Sequence, residues 1–263
     1  MSYLVDSHCH LDLLDLSPFG GSLDRAIDTA IKAEVKKMLC ISVDMEKIPQ
    51  IIRLAEQYPM VYASVGVHPS EDKGEEVDPA RLLEYAKHPK VIAIGETGLD
   101  YYYEYTDRAL QQQRFVQHIE VAKQCRKPLI IHTRQAQEDT LAILRTHQVE
   151  SAVFHCFTEG IDMARQGLDL GLYISFSGIL TFKNAEALRE VARFVPLERI
   201  LVETDSPYLT PVPYRGKPNY PGYTRLVAEC LADLKGLSYP EVRDQTTRNF
   251  HQLFQLGEDP CSL

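Results

Sequence analysis

Eight short β-rich segments, each followed by a helical pattern, constrain this chain more than any other feature. The segments fall at residues 3–7, 37–43, 61–67, 91–95, 128–131, 152–154, 172–175 and 200–202. Between them apolar residues recur at helical spacing. Residues 24–36 carry Ile27, Ile31 and Val35, residues 80–88 carry Leu82, Leu83 and Ala86, and residues 108–126 carry Phe115, Ile119 and Ala122. Further helical patterns begin near Glu46, Glu138, Gly160 and Asn184. Strands alternating with helices imply βαβ units and a parallel sheet. Eight units in a chain of 263 residues match the arithmetic of a (β/α)8 TIM-type barrel, with a doubly wound open sheet as the runner-up. Two helices, over 223–234 and 239–254, close the chain, the second with Pro240 suited to its first turn. No stretch has linker composition and no repeat is visible, so residues 1–263 read as one domain.

Composition removes several classes of function. The balance of 44% hydrophobic and 25% charged residues is that of a globular protein. No apolar run approaches the roughly 20 residues of a membrane span. The first eight residues lack a basic region and a long apolar core, so a cytoplasmic protein is expected, with no membrane contact. The cysteines, at 9, 40, 125, 156, 230 and 261, show no C-x-x-C spacing and read as reduced. A net charge of −9 argues against a long duplex-DNA footprint. It leaves room for an enzyme that grips one or two phosphates through bound cations.

The chemistry lies in what ends the strands, because a barrel builds its site at their C-terminal rim. The first strand runs into His8-Cys9-His10. Alternation puts both imidazoles on one face and turns Cys9 away. The fourth ends in Gly95-Glu96, the fifth in His132, the sixth in His155, and the eighth in Glu203-Thr204-Asp205. Carboxylates gathered among histidines are costly unless paired or bound to metal. Four His with a Glu and an Asp exceed what one tetrahedral ion needs. They suit two divalent cations about 3.5–4 Å apart, with Mg, Mn, Zn, Co and Ni all compatible with N and O donors.

These residues sit in a longer run of motifs: Asp6-Ser-His-Cys-His-Leu-Asp12, Gly66-Val-His-Pro69, Gly95-Glu-Thr-Gly-Leu-Asp-Tyr-Tyr102, Pro128-Leu-Ile-Ile-His-Thr-Arg134, His155-Cys-Phe-Thr158, Tyr173-Ile-Ser-Phe-Ser-Gly178 and Glu203-Thr-Asp-Ser-Pro-Tyr208, with Asn249-Phe250 and Leu253-Phe254 near the end. In this order the chain resembles the TatD family of metal-dependent hydrolases and deoxyribonucleases, and within it the YcfH-like branch. The resemblance implies that His8, His10 and Asp205 hold one ion, that His132 and His155 hold the other, and that Glu96 bridges both. It also departs from the pattern, with Gln135 where an acidic residue is frequent and Tyr220 where many nuclease members carry Glu.

The expected activity is hydrolysis of phosphodiester bonds in single-stranded or frayed DNA, with Asp205 as the proton acceptor and Glu96 as the shared catalytic carboxylate. Nucleic acid is then the substrate, DNA ahead of RNA, and no obligate protein partner is evident. The alternative keeps the metals and cleaves a carboxylic ester, lactone or amide, an aminoacyl-tRNA ester included. Around the ligands, His68 and Arg134 are candidates for phosphate contact. So are Arg215 and Lys217 in a basic, aromatic loop of an otherwise acidic chain. Glu203 sits deeper on the face of Asp205 and would orient a ligand. Tyr101, Tyr102, Tyr103 and Tyr105 follow the fourth strand and either pack that loop or offer faces to bases. Cys156 reads as a core residue, and His88, His118, His147 and His251 as surface or packing residues.

Overall fold

Parallel strands covered on both faces are largely buried rather than alternating, and the strands here are largely buried although several carry polar residues. They are β1 Leu4–Cys9, β2 Val35–Cys40, β3 Val61–Val65, β4 Val91–Asp100, β5 Leu129–Arg134, β6 Ala152–Phe154, β7 Tyr173–Phe176 and β8 Ile200–Val202. In β1 and β4 every residue is buried. The computed structural model describes residues 3–103 and 105–257. Its strands form one eight-stranded sheet in the order β1-β2-β3-β4-β5-β6-β7-β8, the (β/α)8 barrel expected from the alternation. The return from β8 to β1 is made by a parallel bridge between Cys9 and Ser206.

The helices α1 Leu23–Lys32, α2 Ile48–Gln57, α3 Pro79–Ala86, α4 Arg108–Cys125, α5 Gln137–Thr146, α6 Ile161–Asp169, α7 Glu186–Phe194 and α8 Thr224–Lys235 follow the strands in turn, and α9 Tyr239–Leu253 is the extra C-terminal helix. Local chemistry sets their ends. Asp107 and Asp78 accept N-terminal amides of α4 and α3, and Ser238 with Glu241 forms a capping box at α9, where Pro240 occupies the first turn. The chain divides into two compact units, Met1–Leu39 with Ile174–Leu263, and Cys40–Tyr173. No described helix is long and apolar enough to cross a membrane. The described cysteines are free thiols, and Cys261 lies outside the described residues.

The boundaries of two strands differ from the sequence reading in ways that matter for the site. The expected fourth strand stopped at Gly95, and the observed β4 continues to Asp100. Glycine reads as a breaker in a strand pattern, but here it permits close approach. A Cβ on Gly98 would lie 2.0 Å from the His132 carbonyl oxygen, and one on Gly95 would lie 2.6 Å from that of Ile130. Both glycines also have left-handed φ values, +132° and +143°. Likewise β5 extends past Ile131 to Arg134, paired with β4 at Gly98–His132 and Asp100–Arg134. His132 and Arg134 therefore share one face of an ordered strand. Thr133 points the other way and its hydroxyl meets that of Thr140 in α5.

A buried histidine fixes the segment after β3. His118 of α4 accepts the Val67 amide at Nε2 (3.0 Å) and donates from Nδ1 to the Arg114 carbonyl (2.7 Å). Burial pushes its pKa down to about 4, so it is neutral and serves both bonds. His118→Leu strands the Val67 amide in the core, which should cost about 1–3 kcal/mol. A urea melt should show the midpoint falling accordingly, and an unchanged midpoint would reject this role.

Candidate metal centre

In the unit that contains β1 and β8, strand alternation gathers Asp6, His8 and His10 on one face. His8 is fully buried and His10 nearly so. Their rings meet edge to face with centroids 5.2 Å apart. Cys9 points away, its thiol directed at the Leu39 carbonyl. Asp205 lies just beyond β8, where its amide donates to the His8 carbonyl (2.9 Å) and its φ is +54°. Aspartate tolerates this left-handed conformation better than most residues. It brings the carboxylate back toward the histidines, with Oδ1 3.5 Å from His8 Nε2 and 3.4 Å from His10 Nε2. Below them Asp6 accepts the Thr204 amide (2.9 Å) and hydroxyl (2.6 Å), tying β1 to the segment that presents Asp205. Burial pushes the Asp6 carboxyl up to about 8, against the two Thr204 bonds and with the adjacent Glu203 adding to the rise. Glu203 is fully buried in the same unit.

The other unit carries a second set, centred on Glu96. Its Oε1 lies 2.7 Å from His155 Nε2, 3.1 Å from His132 Nδ1 and 3.4 Å from His68 Nε2. The nitrogens of His155 and His132 are themselves 3.4 Å apart. Burial alone would raise the Glu96 carboxyl. Electrostatic attraction to His155 and His68 and the hydrogen bonds from His132 and His155 instead hold it well below the ordinary carboxylate value.

These distances fit a cation. Donor atoms around a tetrahedral ion with bonds of about 2.1 Å stand about 3.4 Å apart. The separations of 3.4–3.5 Å in the first unit lie at that edge and exceed a good hydrogen bond, whereas those in the second run from 2.7 to 3.4 Å, the shortest being the His155–Glu96 contact. His68 is the exception among the imidazoles. Its Nδ1 accepts the Ser70 amide (3.1 Å), and burial pushes its pKa down to about 4. The neutral ring therefore keeps its proton on Nε2 and faces Glu96 as a donor.

One functional group escaped the sequence reading. Asp100 is the last residue of β4, and its Oδ2 lies 3.0 Å from His132 Nε2. Its Oδ1 accepts the amides of Tyr102 and Tyr103. Burial would raise the Asp100 carboxyl, but the His132 bond lowers it, and the two amides lower it further. His132, in turn, is opposed by burial and supported by Asp100 and Glu96, with a net rise. Asp100 thus accepts the Nε2 proton of His132, an arrangement that in the neutral ring would leave Nδ1 to a ligand on the Glu96 side. The signal was the alternation Glu96, Gly98, Asp100, hidden when the strand was ended at Gly95.

The remaining candidates are placed as follows. Arg134 stacks on Tyr102, guanidinium carbon to ring centroid 3.7 Å. Arg215 is exposed and stacks on Phe182 at the same distance. Lys217 is exposed. The four tyrosines divide. Tyr101 packs, donating to Asp139 (2.7 Å) and accepting from Gln112 (2.8 Å), whereas Tyr102, Tyr103 and Tyr105 are exposed. Gln135 has a left-handed φ, and its amide donates to the Glu159 carboxylate. Tyr220 is buried against Phe19.

Comparison with known proteins places the chain in a family. The model of a family described as TatD related DNase matches residues 5–255. The YcfH protein of Escherichia coli (strain K12), an uncharacterized metal-dependent hydrolase, is 47% identical over 256 residues, covering 97% of this chain and 96% of that one. The YabD protein of Bacillus subtilis (strain 168), named in the same terms, is 38% identical over 258 residues, covering 97% and 100%. The crystal structure of YJJV, a TatD homolog from Escherichia coli K12, superposes with a TM-score of 0.90 at 28% identity over 97% of this chain and 98% of that one. With the barrel, the histidine–carboxylate sets at its strand ends and a family match over nearly its whole length, this chain belongs to the TatD family of metal-dependent hydrolases.

Proposed function

We propose that the protein hydrolyses phosphodiester bonds of single-stranded or frayed DNA, with both ligand sets acting on one pair of divalent cations. The observation that carries this reading is the Glu96 oxygen ringed by His155, His132 and His68. A carboxylate so placed can serve two ions at once. In this reading His8, His10 and Asp205 hold one cation, His132 and His155 hold the other, and Glu96 is shared. When bound, such a pair stabilises charge on phosphoryl oxygens and eases deprotonation of the attacking water. Mg, Mn, Zn, Co and Ni all fit the donor set.

The side chains supply the rest. Asp205 is the more exposed carboxylate, at 14% against 4% for Glu96. It accepts the proton of the attacking water and returns it to the leaving oxygen. His68 offers its Nε2 proton to a phosphoryl oxygen. Arg134, Arg215 and Lys217 contact flanking phosphates, and Glu203 supports the Asp205 segment from below. Support for DNA comes from the description of the matching family as TatD related DNase. The net charge of −9 suits a short footprint rather than a long duplex site.

The test is digestion of single-stranded DNA, duplex DNA and RNA with Mg²⁺, Mn²⁺ or Zn²⁺. Single-stranded DNA should be cleaved fastest, and no cleavage above a chelated control would reject the reading. On that substrate Asp205→Asn should lose roughly 10²- to 10⁴-fold in turnover, the range for a lost acid–base group, with no rescue by excess cation. His10→Ala should be partly rescued, because its defect is occupancy. Rescue of Asp205→Asn to near the parental rate would make Asp205 a ligand only.

Asp100→Asn tests the support of His132. The two tyrosine amides claim the side-chain oxygen, so the new NH₂ faces Nε2 and turns the His132 proton onto Nδ1. Divalent-cation affinity, read by competition with a chromophoric chelator, should fall about 10- to 100-fold. Unchanged affinity would show that Asp100 only shapes the loop.

A further inference from the structure

Three tyrosines after β4 keep their rings in solvent although the amides of Tyr102 and Tyr103 are held by hydrogen bonds. Tyr102 is 51% exposed, Tyr103 40% and Tyr105 64%. Asp100 Oδ1 fixes the amides of Tyr102 and Tyr103 at 2.9 and 3.1 Å. Buried Gln111 clasps the loop at both ends. It accepts the Asp100 amide (2.8 Å) and donates to the carbonyls of Asp100 (2.9 Å) and Thr106 (3.1 Å). The rings are ordered among themselves. Tyr103 and Tyr105 are parallel within 7° with centroids 5.3 Å apart, and Tyr102 meets Tyr103 edge to face at 4.9 Å. The Arg134 guanidinium lies over Tyr102 at 3.7 Å and near Tyr103 at 5.0 Å.

Packing of this segment does not need these rings, since Tyr101 already makes its contacts with Asp139 and Gln112. An ordered, exposed aromatic face beside a cation is a surface for a planar π-system. Resting on the phosphodiesterase reading above, we propose that Tyr102, Tyr103 and Tyr105 with Arg134 form a tray that stacks one unpaired nucleobase of the DNA substrate, next to the bond being cut. Two features fix the position and the occupant. Arg134 follows His132 by two residues on β5, about 6.6 Å of strand, so the tray adjoins the Glu96–His132 cluster. Asp100 joins them directly, holding His132 with one oxygen and the tray with the other. A guanidinium stacked on a ring keeps its N–H edge for the nucleotide's phosphate. In a protein of net charge −9, stacking must supply affinity that backbone electrostatics do not. A base already paired in a duplex cannot reach the tray, which gives a physical basis for preferring single strands.

The test uses the full chain with Mn²⁺ and a short single-stranded oligonucleotide, alongside versions carrying one abasic residue at each position in turn. The parent enzyme's KM should rise about tenfold for an abasic residue at one position and little elsewhere, the scale of one base–aromatic stack. Tyr103→Leu/Tyr105→Leu should lose that discrimination, treating intact and abasic strands alike. Tyr103→Phe/Tyr105→Phe should keep it, since the rings remain. Cleavage in which the parent ignores the base at every position, or in which the leucine variant discriminates as the parent does, overturns the tray and leaves the phosphodiesterase reading intact. Failure of the parent to cleave any strand, or the base-free diester methyl p-nitrophenyl phosphate, overturns both.

Discussion

A nearly buried carboxylate oxygen held among three imidazole nitrogens is the constraint around which this molecule is arranged. Placing Glu96 there is expensive: burial raises its carboxyl, and only the surrounding histidines return it to the ionised form. Each of those histidines must then be presented at the correct angle with a defined proton. His132 receives this from Asp100, and His68 from the Ser70 amide. The backbone just before His68 is fixed in turn by His118. The geometry of the cluster is therefore set by hydrogen-bonding partners one layer further out, as happens around metal ligands generally.

Strand register explains how a modest number of residues achieves this. A barrel offers alternate residues of each strand to its interior, so a histidine or carboxylate at the end of β1, β4 or β5 is aimed without help from a loop. The long β4 is central. Its glycines allow it to run tightly along β5, so that Glu96 and Asp100 meet the two nitrogens of His132 from one strand. Asp205 is aimed differently. It sits past the end of β8 in a left-handed conformation and is tied back by its amide to His8 and by the Thr204–Asp6 bonds.

Much of this could be read from the sequence because strand ends are chemically conspicuous. His8, His10, Glu96, His132, His155 and Asp205 each stand out as polar residues in or just after a strand, although Glu96 lies within β4 rather than at the end expected for it. Asp100 and His118 were hidden for opposite reasons. Asp100 followed two glycines that read as the end of a strand, and their tolerance of close backbone contact shows only in three dimensions. His118 sat inside a helical pattern, where a histidine that accepts a distant amide looks like any other. The tyrosine cluster was visible, but its division was not. Tyr101 packs because Asp139 reaches it from 38 positions away, a contact that local sequence does not reveal.

The central claim is that the β1–β8 ligand set and the Glu96 set hold two cations as one pair. Electron paramagnetic resonance of the protein titrated with Mn²⁺ tests it most directly. Two ions about 3.5–4 Å apart should give an exchange-coupled multiline spectrum that saturates at two ions per chain, and Glu96→Ala should abolish the coupling. A spectrum of isolated, uncoupled Mn²⁺ at full loading, or saturation at a single ion, would contradict the shared carboxylate and the binuclear mechanism with it.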